Sequence, residues 1–169
     1  MEKFNRFNRK IQDAAGGLAA ILTFILVLLV SIDVIARYLF NSGSVAAQEV
    51  EWHIFALIFL LAAGYTLKES EHVKIDVIYT RFSNRKKALI NILGVIFFLF
   101  PFCLFVIYYS IDFFLVSLEF NEASSDPGGL PARYILKLFI PIGFLLLLMQ
   151  GISTLHTSIL EYKENSGDA

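Results

Sequence analysis

Val45-Ala46-Ala47-Gln48-Glu49-Val50-Glu51-Trp52-His53 opens the stretch that decides the fold of this 169-residue chain. Ile54 to Leu67 continues it without a charge, and Lys68-Glu69-Ser70-Glu71-His72-Val73-Lys74-Ile75-Asp76 closes it in a dense mixture of charges. At about 1.5 Å of rise per residue the uncharged core is only about 21 Å long, against roughly 30 Å of hydrocarbon in a bilayer. Either the segment is a buried soluble helix, or its flanking carboxylates enter the membrane with it. The rest of the chain chooses between the two.

Hydrophobic residues make up 57% of the sequence and charged ones 17%, with a mean hydropathy of +0.67, far more apolar than a soluble domain of this length. The apolar residues are blocked rather than alternated. Asp, Glu, Lys and Arg are absent from Ala14 to Ile32, from Ile90 to Ile111 and from Leu138 to Leu160. Each run suits a spanning helix. With the segment after Val45 they give an all-α, four-helix membrane protein forming a single domain over residues 1–169. Its helices are expected at about 14–40, 45–68, 86–118 and 131–162. Long helices three and four must tilt, and Pro101 offers helix three a kink.

The net charge of −1 conceals an uneven distribution. Lys3, Arg6, Arg9 and Lys10 precede the first helix, and Lys68, Lys74, Arg81, Arg85, Lys86 and Lys87 lie between the second and third. The other two connections carry Arg37, Arg133 and Lys137. The positive-inside rule therefore places both termini in the cytoplasm. Phe4, Phe7 and Ile11 share one face of the first turns, which fits either a helix on the inner lipid surface or a solvated basic tail. The segment carries no small-residue cleavage site, so it is expected to stay attached. Ile75, Ile78, Tyr79 and Phe82 recur at helical spacing and predict a short interfacial helix at about 73–83, preceded by His72 as a solvated loop histidine.

Several polar residues sit where a membrane helix rarely keeps them. Asp33 and Arg37 are four apart and can pair, as an anchor at the outer interface or as part of transport. Ser44 is placed to cap helix two, whose first turns carry Glu49 and Glu51. Glu49 can pair with His53, four residues on, while Glu51 points about 200° away. Lipid suits an acid poorly, so Glu51 is expected to meet a protein partner or the headgroup layer. Asp112, in the outer third of helix three, is expected to lock onto Arg37 or Lys137, or else to serve an ion. Ser124-Ser125-Asp126-Pro127-Gly128-Gly129-Leu130-Pro131 is a turn built from helix breakers, with Pro131 placed to open helix four.

Enzyme chemistry finds no footing. Cys103 is the lone cysteine, His53, His72 and His156 lie at unmatched depths for a bis-histidine haem, and phosphate-binding, HExxH and nucleophile-elbow motifs are missing. No cofactor, metal or nucleic acid is expected. An autonomous four-helix multidrug-type exporter driven by protons is the alternative function, but it needs an ionisable group at mid-membrane, and helices one, three and four have no acid there.

The chain resembles the small, DctQ-type membrane subunit of tripartite ATP-independent periplasmic (TRAP) transporters. The resemblance rests on Asp33-Val34-x-x-Arg37-Tyr38-x-Phe40-Asn41, Glu49-x-Glu51-Trp52, Ala63-Gly64-Tyr65-Thr66-Leu67-Lys68 and His72-Val73-x-Ile75-Asp76-Val77, in that order. Ser125-Asp126-Pro127-Gly128-Gly129-Leu130-Pro131-Ala132-Arg133 looks like a subgroup linked to uptake of 2-oxo acids and other organic acids. The resemblance implies a multi-pass protein of the bacterial inner membrane with three partners: a large transport subunit, a periplasmic substrate-binding protein and membrane lipids. The large subunit would carry the solute inward with Na⁺ and hold the ion itself. This chain would scaffold it, with Asp33, Arg37, Glu49, Glu51, His53 and Asp112 in assembly or polar locking and Asp126 and Arg133 in periplasmic docking. The family has one acidic position where this chain has Glu49 and Glu51, and either residue can match it.

Overall fold

A computed structural model describes residues 1–69 and 82–164. The described residues are helical apart from short connections. They form α1 (Glu2–Phe40), α2 (Val45–Lys68), α3 (Asn84–Glu119) and α4 (Tyr134–Glu164), each long and apolar enough to cross a membrane. Most of the expected 73–83 helix, with His72 and the motif around it, lies outside the described residues.

The helices stand in a row. α1 packs on α2, α2 on α4 and α4 on α3, while α1 touches α4 more lightly. Asn5 meets Ser153, Asn8 meets Gln150 and Glu49 meets Arg133, so α1 and α4 run antiparallel and both chain termini lie at one end. The α1–α2 turn and the α3–α4 loop share the other, hairpin end. Large side chains cover the outside: Phe24, Ile32, Phe59, Phe98 and Phe105 are each at least 60% exposed. A surface so continuously apolar is suited to lipid or to protein, not to water, and this is a multi-pass membrane protein.

Helix one is longer than the charge pattern suggests. Rather than a separate surface helix or a solvated tail, residues 2–13 continue α1 in one piece. The reason is a heptad seam. Asn8, Gln12, Ala15 and Ala19 are buried at alternating steps of four and three, and Leu22, Leu26, Leu29, Asp33 and Ala36 extend the same rhythm, half-buried or buried. A helix holding a 3.5-residue repeat keeps one face on its neighbour for its full length. Two of its first three seam positions are amides, which hydropathy scores as surface.

Small residues bring the helices close. A Cβ added at Gly143 would lie 2.8 Å from the backbone oxygen of Leu60, one added at Gly16 would lie 2.5 Å from the Tyr65 ring, and one at Gly151 would lie 2.6 Å from Leu99. In a membrane, where apolar burial drives helices together little, such close backbone approach carries much of the association.

Pro101 acts through a local change of helix type. Val95 to Leu99 forms a π-helical turn, with the Phe100 N–H bonded to the Val95 oxygen five residues back. The wider turn lies just where the proline removes a donor and crowds the preceding carbonyl. It also keeps register. The buried face of α3 runs Ala88, Val95, Cys103, Ser110, Ser117, with steps of seven except for eight across the π turn. The inserted residue holds one stripe against α4 along the whole helix.

Asn41 ends α1 in the left-handed region with φ of 49°, and Asn121 does the same after α3 with φ of 44°. The N–H of Glu122 bonds to the Ser117 oxygen at 3.0 Å and that of Asn121 to the Leu118 oxygen at 3.1 Å. These are the two bonds of a Schellman motif, with Asn in the position glycine usually takes.

Candidate functional site: polar locks at both ends of the row

The hairpin end is organised around Glu49. Its side chain is 5% exposed and is met by three donors from the α3–α4 loop. The Ser124 hydroxyl donates to Oε1, the Leu130 N–H donates to Oε2 at 2.5 Å, and the Arg133 guanidinium donates to Oε1 at 3.0 Å. Ser44 caps α2 by accepting from the Ala47 N–H at 3.3 Å, fixing the turn from which Glu49 projects.

The loop is shaped to hold those donors. Gly129 N–H bonds to the Asp126 oxygen at 3.0 Å across Pro127 and Gly128, and Gly128 has φ of +81°, the pattern of a type II turn. Outside it, Ser124 N–H reaches the Leu130 oxygen and Arg133 N–H reaches the Glu122 oxygen, each at 2.9 Å, so the two arms of the loop are tied together. Gly129 must be glycine: a Cβ there would stand 2.5 Å from that of Ser124 and 2.9 Å from Glu49 Oε2. Arg133 also lies over the Trp52 ring, 5.8 Å from its centroid. α4 accordingly begins at Tyr134, not at Pro131, because Pro131 to Arg133 belong to this loop and Ala132 takes a positive φ of 63°.

A second pair braces the same loop. Lys137 donates to the Glu122 carboxylate and its ammonium sits 3.9 Å from the centroid of the Phe113 ring. The Lys137 hydrogen bond holds the Glu122 carboxyl below its ordinary pKa of 4.5.

The structure rearranges several expected contacts. His53 does not pair with the Glu49 carboxylate. Its Nδ1 lies 2.5 Å from the Glu49 backbone oxygen, so Nδ1 carries the hydrogen, and the carboxylate is turned to the loop instead. Arg133, expected on a docking face, holds Glu49 inside the chain with its side chain 27% exposed. Asp126 stands at the exposed tip of the turn, its N–H bonded to Ser124 Oγ at 3.1 Å. Glu51 is half-buried on another side of α2, and its Oε1 is closed off without a hydrogen-bond partner. Asp33 and Arg37 do pair, Asp33 buried in the α1 seam and Arg37 about half exposed. Asp112 locks onto neither Arg37 nor Lys137. It is exposed on α3, and those two cations pair with Asp33 and Glu122.

The terminal end holds a network that hydropathy and charge did not single out. Asn8, 1% exposed, donates to Gln150 Oε1 at 2.8 Å. The Gln12 amide, fully buried, donates to Asn8 Oδ1 at 3.2 Å and to the Leu146 oxygen at 2.9 Å. Ser153 donates to Asn5 Oδ1 at 3.2 Å, and the Asn5 amide lies 3.3 Å from His156 Nδ1. At Gly64 the Gln12 side chain fills the space a Cβ would need. Lys68 bridges Asp13 of α1 at 2.5 Å and Glu69 at 2.6 Å. The signal for this network was the heptad step from Asn8 and Gln12 into Ala15 and Ala19, which places two amides on the buried face.

Chemically, both ends tie helix to helix. Among the described residues no three His, Cys, Asp or Glu side chains converge. A polar cleft of about 500 Å³ opens at the terminal end, with Arg9 and Lys68 set against Glu69 and Glu161 in its wall.

No curated protein matches the chain. The family model for tripartite ATP-independent periplasmic transporters, DctQ component, matches residues 26–160, from the middle of α1 almost to the end of α4. That span takes in the whole Glu49 lock and the α4 half of the amide network, and leaves Asn8 and Gln12 before its start. With four apolar helices and a match over most of its length, the chain belongs to the DctQ family and is the small membrane component of a TRAP transporter.

Proposed function

We propose that this subunit is a rigid, non-catalytic wall for the large transport subunit and helps dock the periplasmic binding protein during Na⁺-coupled uptake of an organic acid. The observation that carries the reading is the Glu49 lock, where one buried carboxylate takes three donors from a loop far away in sequence. Such a lock fixes a surface and does no chemistry on a solute. The cleft at the other end sets cations against anions, which suits a bound organic anion poorly, so the solute and Na⁺ sites are assigned to the large subunit.

In this reading the bacterial inner membrane holds the chain with both termini cytoplasmic, as the basic residues before α1 and between α2 and α3 require. The hairpin end then faces the periplasm and presents Asp126 at an exposed turn. Asp33, Arg37, Glu49 and His53 serve assembly by stiffening that end, Glu51 serves it by offering a carboxylate to a protein partner, and Arg133 serves docking indirectly by holding the loop in shape. The multidrug-type exporter gives way to a family whose members work as one component of three.

The test is purification of the tagged chain from its native membrane in mild detergent, then reconstitution with what accompanies it. A large polytopic membrane protein in one-to-one ratio, giving Na⁺-dependent uptake only when a binding protein is added, is the expected result. A chain that purifies alone or with itself overturns the reading.

A further inference from the structure

The polar cleft at the terminal end takes its wall from all four helices, with Asn8 and Arg9 on α1, Lys68 and Glu69 at the end of α2, Asn91 on α3, and Gln150, Ser158 and Glu161 on α4. Its volume of about 500 Å³ falls within the roughly 300–1,000 Å³ of small-ligand sites. Part of the wall is buried polar surface: Asn8, Gln150 and Ser158 are 1%, 6% and 3% exposed. The two amides are bonded to each other, but the Ser158 hydroxyl makes no hydrogen bond among the described residues. A buried hydroxyl that lines a cleft without a partner is left to bond whatever enters.

The charges of the wall select the ligand. Lys68 is answered by Asp13 at 2.5 Å and Glu69 at 2.6 Å, whereas Arg9 is exposed and forms no ion pair among the described residues. Glu161 brings a negative charge to the same wall. A simple anion would meet Glu161 as well as Arg9, and a simple cation would meet Arg9 as well as Glu161, so a group carrying both signs suits the cleft best. Quaternary ammonium groups are bound by aromatic faces, and no aromatic ring is among the described residues that line the cleft. Amides, hydroxyls and a carboxylate instead suit the three donors of a primary ammonium. Depth selects the source. Arg9 lies five residues, about 7.5 Å along the helix, before the uncharged run that opens at Ala14, and Lys68 and Glu161 directly follow runs that end at Leu67 and Leu160. The cleft therefore stands at the level of the lipid headgroups.

We propose that this cleft seats the phosphoethanolamine headgroup of a membrane phospholipid, with its phosphodiester on Arg9 and its ammonium on Glu161 and the Ser158 hydroxyl. A guanidinium meets a phosphate with two parallel donors, which a lysine cannot do. The acyl chains lie on the apolar exterior beside the cleft, where Ile90, next to Asn91, and Leu160, next to Glu161, are 42% and 46% exposed. A lipid held there bridges α1 and α3, the outer helices of the row. The assignment goes beyond the function proposed above and does not depend on it.

The experiment washes the tagged full-length chain, with any subunit that accompanies it, free of native lipid in mild detergent. Phosphatidylethanolamine, phosphatidylcholine and phosphatidylglycerol with matched acyl chains are then added in equal amounts, and native mass spectrometry counts what is retained. Phosphatidylethanolamine should be retained in clear preference to the other two. Arg9→Gln should lower its retention roughly tenfold, the worth of one hydrogen bond to a charged group. Lys3→Gln, exposed at the same end but outside the cleft, should leave it unchanged. Glu161→Gln should narrow the preference over phosphatidylglycerol, since the ammonium alone loses a partner. No retained lipid, equal retention of the three or a preference for either other lipid would each overturn the assignment, and so would retention that Arg9→Gln leaves unchanged or that Lys3→Gln lowers equally. Binding of soluble glycerophosphoethanolamine as tight as that of the lipid would give the cleft to a free phosphate ester and overturn a lipid occupant.

Discussion

Replacing Gly143 by alanine tests whether α2 and α4 are held by backbone contact. The new Cβ would lie 2.8 Å from the Leu60 oxygen and 2.9 Å from its Cβ. Carbon contacts settle at about 3.5–4.0 Å, so the helices must part by roughly 0.6–1 Å, and a gap of that size forfeits about a quarter to a half of the dispersion energy where it opens. The obstacle is main chain, which has no rotamer to turn out of the way. Overpacking of this kind costs about 1–3 kcal/mol. Alanine also favours the helix by up to about 1 kcal/mol over glycine, and comparison with Gly17→Ala removes that contribution. Gly17 is exposed on α1, and a Cβ there meets nothing within 4 Å. Gly143→Ala should therefore be less stable than Gly17→Ala by about 2 kcal/mol, about 30-fold in the unfolding equilibrium. Titration of each variant from mild detergent into a denaturing one, followed by tyrosine and tryptophan fluorescence, reads the difference. Equal midpoints would refute the claim that the Gly143–Leu60 contact sets the spacing of the row.

Three further outcomes follow from the polar locks. Asn8→Ala removes a donor to Gln150 and an acceptor for Gln12, and should destabilise by about 1–2 kcal/mol, with a coupling to Gln150→Ala of about 0.6 kcal/mol in a double-mutant cycle. Additive effects would show that the amides touch without cooperating. Glu49→Ala leaves Ser124, Leu130 and Arg133 without their acceptor, and amide exchange at Leu130 should speed up by roughly tenfold or more, whereas Glu51→Ala should not change it. The Glu122 carboxyl, held below its ordinary 4.5 by Lys137, stabilises the loop fully above that value and loses the contribution as pH falls through its lower folded value. Acid should therefore destabilise the wild-type loop more than that of Lys137→Met, and parallel acid melting curves would contradict this.

What the sequence makes legible follows from which physical signal each feature leaves. Four spans, and α2 from Val45, can be read because lipid demands a long uncharged run, and Ser44 because a cap is local. Glu49 can be read as a lock, but its partners cannot: helical spacing offers His53, four residues away, while Ser124 and Arg133 lie 75 and 84 residues off and come near only when the row forms. Asn8 and Gln12 were hidden by their polarity, though their seven-residue rhythm with Ala15 and Ala19 was present throughout. The π turn is legible only in hindsight, from the step of eight between Val95 and Cys103.

The two kinds of contact in this chain do different work, and lipid explains why. In water, a helix pair is chosen largely by which apolar faces must be hidden, but lipid tails accept Leu and Phe as readily as another helix does. Close approach at Gly16, Gly143 and Gly151 supplies attraction along the seams and tolerates small slips of register, since neighbouring positions are also apolar. The Asn8–Gln150 contact does not tolerate slips: moving α4 by one residue rotates its side chains by about 100° and strands both amides, and the Glu49–Arg133 contact likewise holds the start of α4 in place. These locks sit at opposite ends of the row, so together they fix α4 at Gln150 and the loop that feeds it at Arg133. On the function proposed above, that property matters more than additional stability, and exchanging Asn8 and Gln150 for leucines would be expected to keep the helices associated while blurring their register.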